Sequence, residues 1–175
     1  VAINAVLYRR EMKHLYKEDA IDILCKPQQG ASIICQLNEL RHHGLTVEML
    51  ANQGKEPSQA LEQFFGMIDK STGGNGGITD PTVDITIVGY GLRSILAELM
   101  TCAKIDTSLH SHWEHLEALC QNTEDLLDTT ILRFPHMANY RLEYVLSAVG
   151  QNLRPQSKAH SVAQLYVAIH GFIFD

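Results

Sequence analysis

The chain has 175 residues, of which 45% are apolar and 19% are charged, and its formal net charge is −6. This length and apolar fraction suffice for one hydrophobic core and exclude a largely disordered chain. The negative charge excludes a duplex-wide nucleic-acid surface, because such a surface needs clustered Lys and Arg. We therefore expect a single domain that has no nucleic-acid partner.

Targeting signals are not evident in the sequence. Residues 1–14 lack the apolar run and cleavage site of a signal peptide, and no stretch approaches the roughly 18 apolar residues of a membrane span. The four cysteines match no zinc or CxxC spacing, so they are expected to be buried free thiols in the cytoplasm or another reducing compartment. Because the chain starts without Met and stops inside an apolar pattern, it is expected to be excised from a longer protein.

The amino-terminal half, residues 1–70, is predicted to be helical. Its densest basic cluster is interrupted by acidic residues, as on a solvated helix face, and comprises Arg9, Arg10, Lys13 and Lys17. An apolar stripe then predicts a helix that ends at Gly44, a short helix that starts at Thr46, and a third helix with Pro57 near its start.

A glycine-rich loop at residues 71–79 follows these helices. Bare backbone amides of such a loop can bind phosphate, but a Walker loop also needs Lys and Ser or Thr after the last glycine. Ile78 and Thr79 stand there instead. The loop is therefore predicted to be a flexible connection between two halves of one domain, with the second half at 80–175.

The segment after the loop supports two interpretations. Apolar residues recur every three or four positions from Ile85 to Cys102, which predicts a central helix over 81–103 as the buried axis of the fold. The alternative is a strand and glycine turn over 83–91, because β-branched residues precede Gly89 and Gly91. That arrangement would open a nucleotide- or cofactor-binding unit, although only two of the three fingerprint glycines are present.

Three further helices are predicted, from Asp106 to about Arg133, over 142–149 and over 162–172. The expected fold class is therefore all-α: a single-domain bundle of seven or eight helices, with the glycine-rich loop between its halves.

A histidine cluster raises the possibility of a metal site. His112 and His115 lie about 60° apart on the predicted helix, on the side opposite His110, so they form a two-ligand hypothesis. A third ligand would have to come from another element, with His136, His160 and His170 as candidates. The alternative is a solvated polar edge.

No nucleophile motif or pair of carboxylates supports catalysis, so the sequence favours a non-catalytic protein without a cofactor. Tyr140 and Tyr144 lie one helical turn apart beside Arg141, and these three residues form a candidate binding patch. Packing of the two tyrosines in the core is the alternative.

The stretch at 37–68, LNELRHHGLTVEMLANQGKEPSQALEQFFGMI, contains the junction L-x-x-x-G-L-T-x-E. It resembles the helical pairs of type IV secreted effectors of intracellular bacterial pathogens. The resemblance implies a non-catalytic virulence module that is delivered into the host cytosol. The leading hypothesis is therefore a helical protein–protein interaction module that binds a host protein. The alternatives are the nucleotide- or cofactor-binding unit at 83–91 and metal binding by His112 and His115.

Overall fold

The computed structural model describes residues 2–26, 46–74, 77–151 and 158–175. Within these ranges the chain forms seven α-helices and five β-strands, and the strands make two separate sheets. The expectation of an all-α bundle is therefore wrong. The two sheets escaped this expectation for different reasons. The first follows a period-two apolar pattern that was assigned to a helix, and the second depends on contacts between residues distant in sequence.

The first sheet begins with an antiparallel hairpin of β1 (Ala2–Glu11) and β2 (His14–Leu24). Its apolar face repeats every second residue, which is the period of a strand. Ile21, Ile23 and Cys25 point to one side, where they pack with Ile3 and Ala60. The basic cluster of residues 9–17 consequently lies on a hairpin, and the prediction of a helix there is wrong.

The hairpin turn contains Met12, which is 94% exposed and has φ 54°, in the left-handed region that favours glycine. At the other end of β2, Cys25 forms an isolated parallel bridge with Lys55. A short strand, β5 (Ile173–Phe174), adds to β2 in parallel, so the strand order is β1-β2-β5.

Two helices of the amino-terminal half agree with their predicted positions. Helix α1 (Val47–Gln53) begins after Thr46, whose hydroxyl accepts a hydrogen bond from the Met49 amide at 3.1 Å. Helix α2 (Pro57–Ser71) has its proline in the first turn, where a missing N–H costs nothing. The helix predicted to end at Gly44 lies outside the described residues.

The glycine-rich loop is packed over part of its length. Gly73 and Gly74 have positive φ angles and end α2, and the Gly74 amide donates to the Asp69 carbonyl at 2.8 Å. A 3₁₀ turn at Gly77–Thr79 then buries Gly77 and Ile78. This turn therefore belongs to the core and not to a free linker.

The predicted central helix over 81–103 is also wrong. Strand β3 (Ile87–Gly89) comes first, and α3 (Leu92–Ile105) begins only after Gly91, which has φ 69°. A residue in that left-handed conformation cannot continue a right-handed helix. Helix α3 buries only Leu96 and Ala103 among its residues, so it is not a buried axis.

After α3, the chain forms a strand that pairs with β3, and the rest of the chain is helical. Asp106 begins a 3₁₀ segment at Thr107–His112, followed by α4 (Trp113–Gln121) and β4 (Thr123–Asp125), which pairs with β3 in parallel. Helices α5 (Leu126–Arg133), α6 (Leu142–Ala148) and α7 (Lys158–His170) complete the fold. The helix predicted over 106–133 is therefore divided by β4.

Two apolar clusters lie on either side of the β3–β4 pair. One joins α2, α3, the 3₁₀ segments and α4, and its fully buried members include Leu109 and Leu116. The other joins α5, α6 and α7 through Leu126, Leu146 and Leu165, and Val88 of β3 packs against it. The β3–β4 pair thus connects the two clusters.

The last helix ties the carboxyl-terminal part of the chain to its beginning. The Ala159 amide of α7 donates a hydrogen bond to Asn4 Oδ1 of β1 at 2.9 Å, across 155 residues of sequence. None of the helices in the described ranges is long and apolar enough to cross a membrane.

The cysteines differ in their surroundings. Cys25 is buried, Cys102 is half-buried and Cys120 is exposed, and all three are free thiols. The expectation of uniformly buried cysteines is therefore wrong for Cys120, and Cys35 lies outside the described residues.

Candidate functional site

The strand, turn and helix at residues 87–105 form the first half of a β–α–β unit. Strand β3 runs through Gly89 into the Tyr90–Gly91 turn and then into α3, and β4 pairs beside it in the register Gly89 to Asp125. Because the two strands are parallel, their carboxyl ends meet at one edge. In open α/β folds, ligands bind at that edge.

The two glycines of the turn serve different purposes. A Cβ at Gly89 would lie 2.8 Å from the Leu92 Cβ, so this glycine allows the strand to approach the helix closely. A Cβ at Gly91 would meet no atom within 4 Å, so Gly91 is required for its positive φ and it borders open space.

Asp125 is the central polar residue of this edge. Its side chain is buried, with 7% of the residue exposed. Oδ1 accepts hydrogen bonds from the amides of Gly91 at 2.8 Å and Leu127 at 3.0 Å, and Oδ2 accepts one from the Arg93 amide at 3.0 Å. One carboxylate therefore caps the amino ends of both α3 and α5, where a negative charge is stabilised.

Tyr90 links the turn to the segment between α5 and α6. Its hydroxyl donates to the Tyr140 carbonyl, and the Tyr140 hydroxyl donates to the Phe134 carbonyl at 2.7 Å. Burial, followed by the negative charges of Asp125 and Glu143, raises the pKa of Tyr90 to about 12. The phenol is consequently a neutral donor at physiological pH.

A groove of about 470 Å³ lies along α3, and Arg93 in the first turn of that helix lines part of it. Its apolar wall comes from α3, and its other side comes from the end of α4 and the start of β4; the lining residues are Arg93, Leu96, Ala97, Met100, Cys120, Gln121 and Thr123. Arg93 connects the groove with the turn, since Asp125 binds its amide and its side chain lines the groove.

Charged groups at the groove are few. The Arg93 guanidinium pairs with Asp128 at 3.0 Å, and 77% of the Arg93 side chain is exposed. Burial and the nearby Glu117 raise the pKa of the Cys120 thiol, so this cysteine is uncharged at neutral pH and has no features of an activated nucleophile.

The predicted metal ligands have aromatic and acidic neighbours in the structure. His112 and His115 both pack against the Phe65 ring, at centroid distances of 6.0 and 4.9 Å. His170 is instead paired with Glu124 at 2.8 Å. Within the described part of the chain, no three His, Cys, Asp or Glu side chains form a group that could hold a metal ion.

The predicted binding patch is only partly available at the surface. Tyr140 is half-buried and held by its two hydrogen bonds. Arg141 is exposed and precedes α6, and Tyr144 is 59% exposed on that helix. Arg141 and Tyr144 therefore remain accessible, whereas Tyr140 is part of the internal structure.

Sequence reasoning missed Asp125. The pair Glu124 and Asp125 is typical of a first helical turn, and Asp125 is indeed the residue that precedes α5. Its hydrogen bond with the Gly91 amide joins residues 34 positions apart, and a local sequence pattern cannot predict a contact over that distance.

Comparison with protein-family models, with curated proteins and with solved structures finds no match for this chain. The resemblance of residues 37–68 to secreted effectors therefore stays a prediction, and residues 37–45 of that stretch lie outside the described residues.

Proposed function

We propose that the β3–α3–β4 unit binds a small molecule of the nucleoside type, without a phosphate at the glycine turn. The observation that carries this proposal is the Asp125 carboxylate, which lies at the carboxyl end of β4 and reaches across the turn to the Gly91 and Arg93 amides. An acidic residue at the end of the second strand of such a unit accepts hydrogen bonds from ribose hydroxyls.

The number of acceptor positions on the Asp125 carboxylate allows a further hydrogen bond from a ligand hydroxyl. An ionised carboxylate offers about four lone-pair positions, and the amides of Gly91, Arg93 and Leu127 use three of them on Asp125. One position on Oδ2 remains for a hydroxyl donor. Gly91 borders open space on the same turn, which leaves room for a ligand there.

A phosphate group is disfavoured at this place. In phosphate-binding turns the helix amides face the anion, whereas here the Asp125 carboxylate already occupies those amides. Two unit negative charges about 4 Å apart repel by about 4 kcal/mol at the effective dielectric constant near a protein surface. A neutral or positively charged nucleoside therefore fits better than a dinucleotide.

The groove beside the turn suits the apolar part of such a ligand. Its volume of about 470 Å³ is within the range of small-molecule sites. Leu96, Ala97 and Met100 provide an apolar wall for a planar base, and Gln121 and Thr123 provide hydrogen-bonding groups at its border.

The proposal can be tested by NMR titration of the isotope-labelled chain with three probes: adenosine, the sulfonium derivative S-adenosylmethionine, and NAD⁺. We expect saturable shifts of the Gly91 and Arg93 amide resonances with the first or second probe, and weaker binding of NAD⁺. Absence of saturable shifts at these amides with all three probes would refute the proposal.

Two matched variants identify the group responsible. Asp125→Asn keeps an acceptor oxygen but removes the charge, and we expect it to weaken binding at least about tenfold. Glu98→Gln changes an exposed carboxylate on α3 that does not line the groove, and it should leave affinity unchanged. A bound ligand should also slow alkylation of Cys120, because this thiol lines the groove.

Binding of a host protein is a second candidate function, and the exposed Tyr144 next to Arg141 supports it. A tagged pull-down from animal-cell and bacterial lysates, with a tag-only control, provides the test. We expect a saturable partner from the animal-cell lysate that Tyr144→Ala loses and that Ser147→Ala, an exposed position on the same helix, retains. The absence of a partner from either lysate would contradict this candidate.

A further inference from the structure

The Arg93 side chain joins the groove along α3 to the start of α5. It lines part of the groove, and its guanidinium Nη1 pairs with Asp128 Oδ2 at 3.0 Å. Asp128 lies in the first turn of α5, and Asp125 accepts hydrogen bonds from amides at the starts of both helices. The ion pair therefore bridges the same two helix starts that the buried Asp125 carboxylate caps.

Positive charge reaches the groove through this arginine. Among the lining residues in the described part of the chain, Arg93 alone is ionised at neutral pH, because the Cys120 thiol stays protonated. The other lining side chains are apolar or are neutral hydrogen-bonding groups. A ligand in the groove therefore meets one partner for a negative group, at the amino end of α3.

The ion pair between Arg93 and Asp128 can be exchanged for ligand contacts at little cost. The Arg93 side chain is 77% exposed and the Asp128 side chain is 46% exposed, and ion pairs in such positions contribute little to stability. The Arg93 backbone is fixed, however, because its amide donates to Asp125 Oδ2 at 3.0 Å. The guanidinium can therefore turn to a ligand without disturbing the start of α3.

The two charges match the head group of an α-amino acid. Its carboxylate and ammonium are attached to one carbon, so they lie side by side, as the charges of Arg93 and Asp128 do. A guanidinium binds a carboxylate through two parallel hydrogen bonds, and a carboxylate accepts hydrogen bonds from an ammonium. A phosphate dianion fits less well, because it would face the negative charges of both Asp125 and Asp128.

We infer that the preferred ligand is a nucleoside whose 5′ substituent ends in an α-amino acid group. The inference rests on the proposed nucleoside site and adds the chemical class of the substituent. The Arg93 amide adjoins the Asp125 carboxylate that is proposed to hold the ribose, and the side chain of the same residue binds the carboxylate of the amino acid group. One arginine side chain thus separates the ribose from the head group, a distance that a short 5′ substituent spans.

Two probes that share adenosine and a thioether, 5′-methylthioadenosine and S-adenosylhomocysteine, test the inference. Only the second carries the amino acid group. By NMR titration of the labelled chain, we expect its dissociation constant to be at least about tenfold lower, as for a charge-assisted hydrogen bond. The Arg93 Nε–H resonance should shift with the second probe and not with the first.

The same titration distinguishes the failure of this inference from the failure of the nucleoside site. Saturable shifts of the Gly91 amide with both probes, at equal dissociation constants, would support the nucleoside site and overturn the inference. Absence of saturable shifts with either probe would refute the nucleoside site, and the inference would fall with it.

A variant of the arginine identifies the group responsible. Arg93→Gln removes the cation but keeps the backbone amide that donates to Asp125. We expect its affinity for S-adenosylhomocysteine to fall to that for 5′-methylthioadenosine, which should not change. Lys104→Gln removes an exposed cation in the last turn of α3, outside the groove lining, and should bind both probes as the wild type does. Equal losses for both probes in Arg93→Gln would overturn the assignment of Arg93 to the amino acid group.

Acetylation of the ligand tests the part assigned to Asp128. N-acetyl-S-adenosylhomocysteine keeps the carboxylate for Arg93 but presents no positive charge to Asp128. We expect it to bind more weakly than the parent compound and more tightly than 5′-methylthioadenosine. Asp128→Asn should reduce the difference between the acetylated and parent compounds, because the asparagine carries no charge. Equal affinity of these two compounds for the wild-type chain would overturn the assignment of Asp128.

Discussion

The two sheets of this protein are held together in opposite ways. The β1–β2 hairpin has ten and eleven residues in its strands, and its interactions are distributed over a long ladder and exposed ion pairs such as Arg9 with Glu18. The β3–β4 pair has three residues in each strand and is fixed by one buried carboxylate, Asp125, at the junction of two apolar clusters. Strand length therefore does not indicate how strongly a substitution lowers stability. A single substitution should lower the free energy of unfolding far more in the short sheet than in the long one.

The largest effect is expected for Asp125→Ala. This change leaves three amides at the starts of α3 and α5 without an acceptor, and buried hydrogen bonds to a charged group contribute about 1.5–3 kcal/mol each with strong non-additivity. We expect the free energy of unfolding in urea to fall by about 3 kcal/mol. Asp128→Ala, which removes a half-exposed partner of Arg93, should cost less than about 1 kcal/mol. Equal losses in the two variants would contradict the comparison.

Substitution of either turn glycine should lower stability, but for a different reason at each position. Gly89→Ala forces a methyl group against Leu92, and such overpacking costs about 1–3 kcal/mol. Gly91→Ala meets open space but keeps a positive φ, which costs about 1–2 kcal/mol. Gly91→Asn should recover part of that loss, because Asn tolerates the left-handed region, whereas Gly89→Asn should not. Thermal and urea unfolding of the four variants distinguish the two causes.

Tyr90 should make the free energy of unfolding depend on pH in the alkaline range. Its folded pKa is raised to about 12, above the value of about 10 for an unfolded chain. Its contribution is complete below about pH 10 and declines as pH rises towards 12, because the unfolded state ionises first. Tyr90→Phe should therefore reduce the loss of unfolding free energy between about pH 9 and about pH 11. An identical loss in both proteins would show that Tyr90 does not titrate in this way.

The smallest effect is expected in the hairpin, where Met12→Gly relieves a positive φ at an exposed position. Relief of the left-handed φ stabilises the folded state, and the greater conformational freedom of glycine in the unfolded chain offsets part of that gain. The free energy of unfolding should therefore rise by about 0.5 kcal/mol. Met12→Ala keeps the strain and should give no such gain. A loss of stability in Met12→Gly would mean that the Met12 side chain contributes contacts.

The sequence predicted those elements whose signals are local. Thr46 and Pro57 mark the starts of α1 and α2, and both helices begin where capping and proline chemistry predict. The hairpin was predictable in principle, because Ile21, Ile23 and Cys25 alternate with a period of two. Its charged residues instead suggested a solvated helix.

The parallel pair shows why the rest could not be predicted. Ile85, Val88 and Leu92 satisfy a helical spacing as well as a strand followed by a helix, and only Gly91 decides between them through its left-handed φ. The candidate site depends in addition on Asp125, and the contact of its carboxylate with the Gly91 amide bridges 34 residues. The alternative of a strand and a glycine turn at 83–91 was closer to the structure than the central helix.

The hydrogen bond between Asn4 and Ala159 has a consequence for synthesis on the ribosome. The hairpin that carries Asn4 is made first, and the helix that carries Ala159 is made 155 residues later. At about 5–20 residues per second this interval lasts about 8–30 s, far longer than the microseconds in which a hairpin closes. During that time the hairpin lacks the hydrogen bond and the packing contacts that α7 later provides.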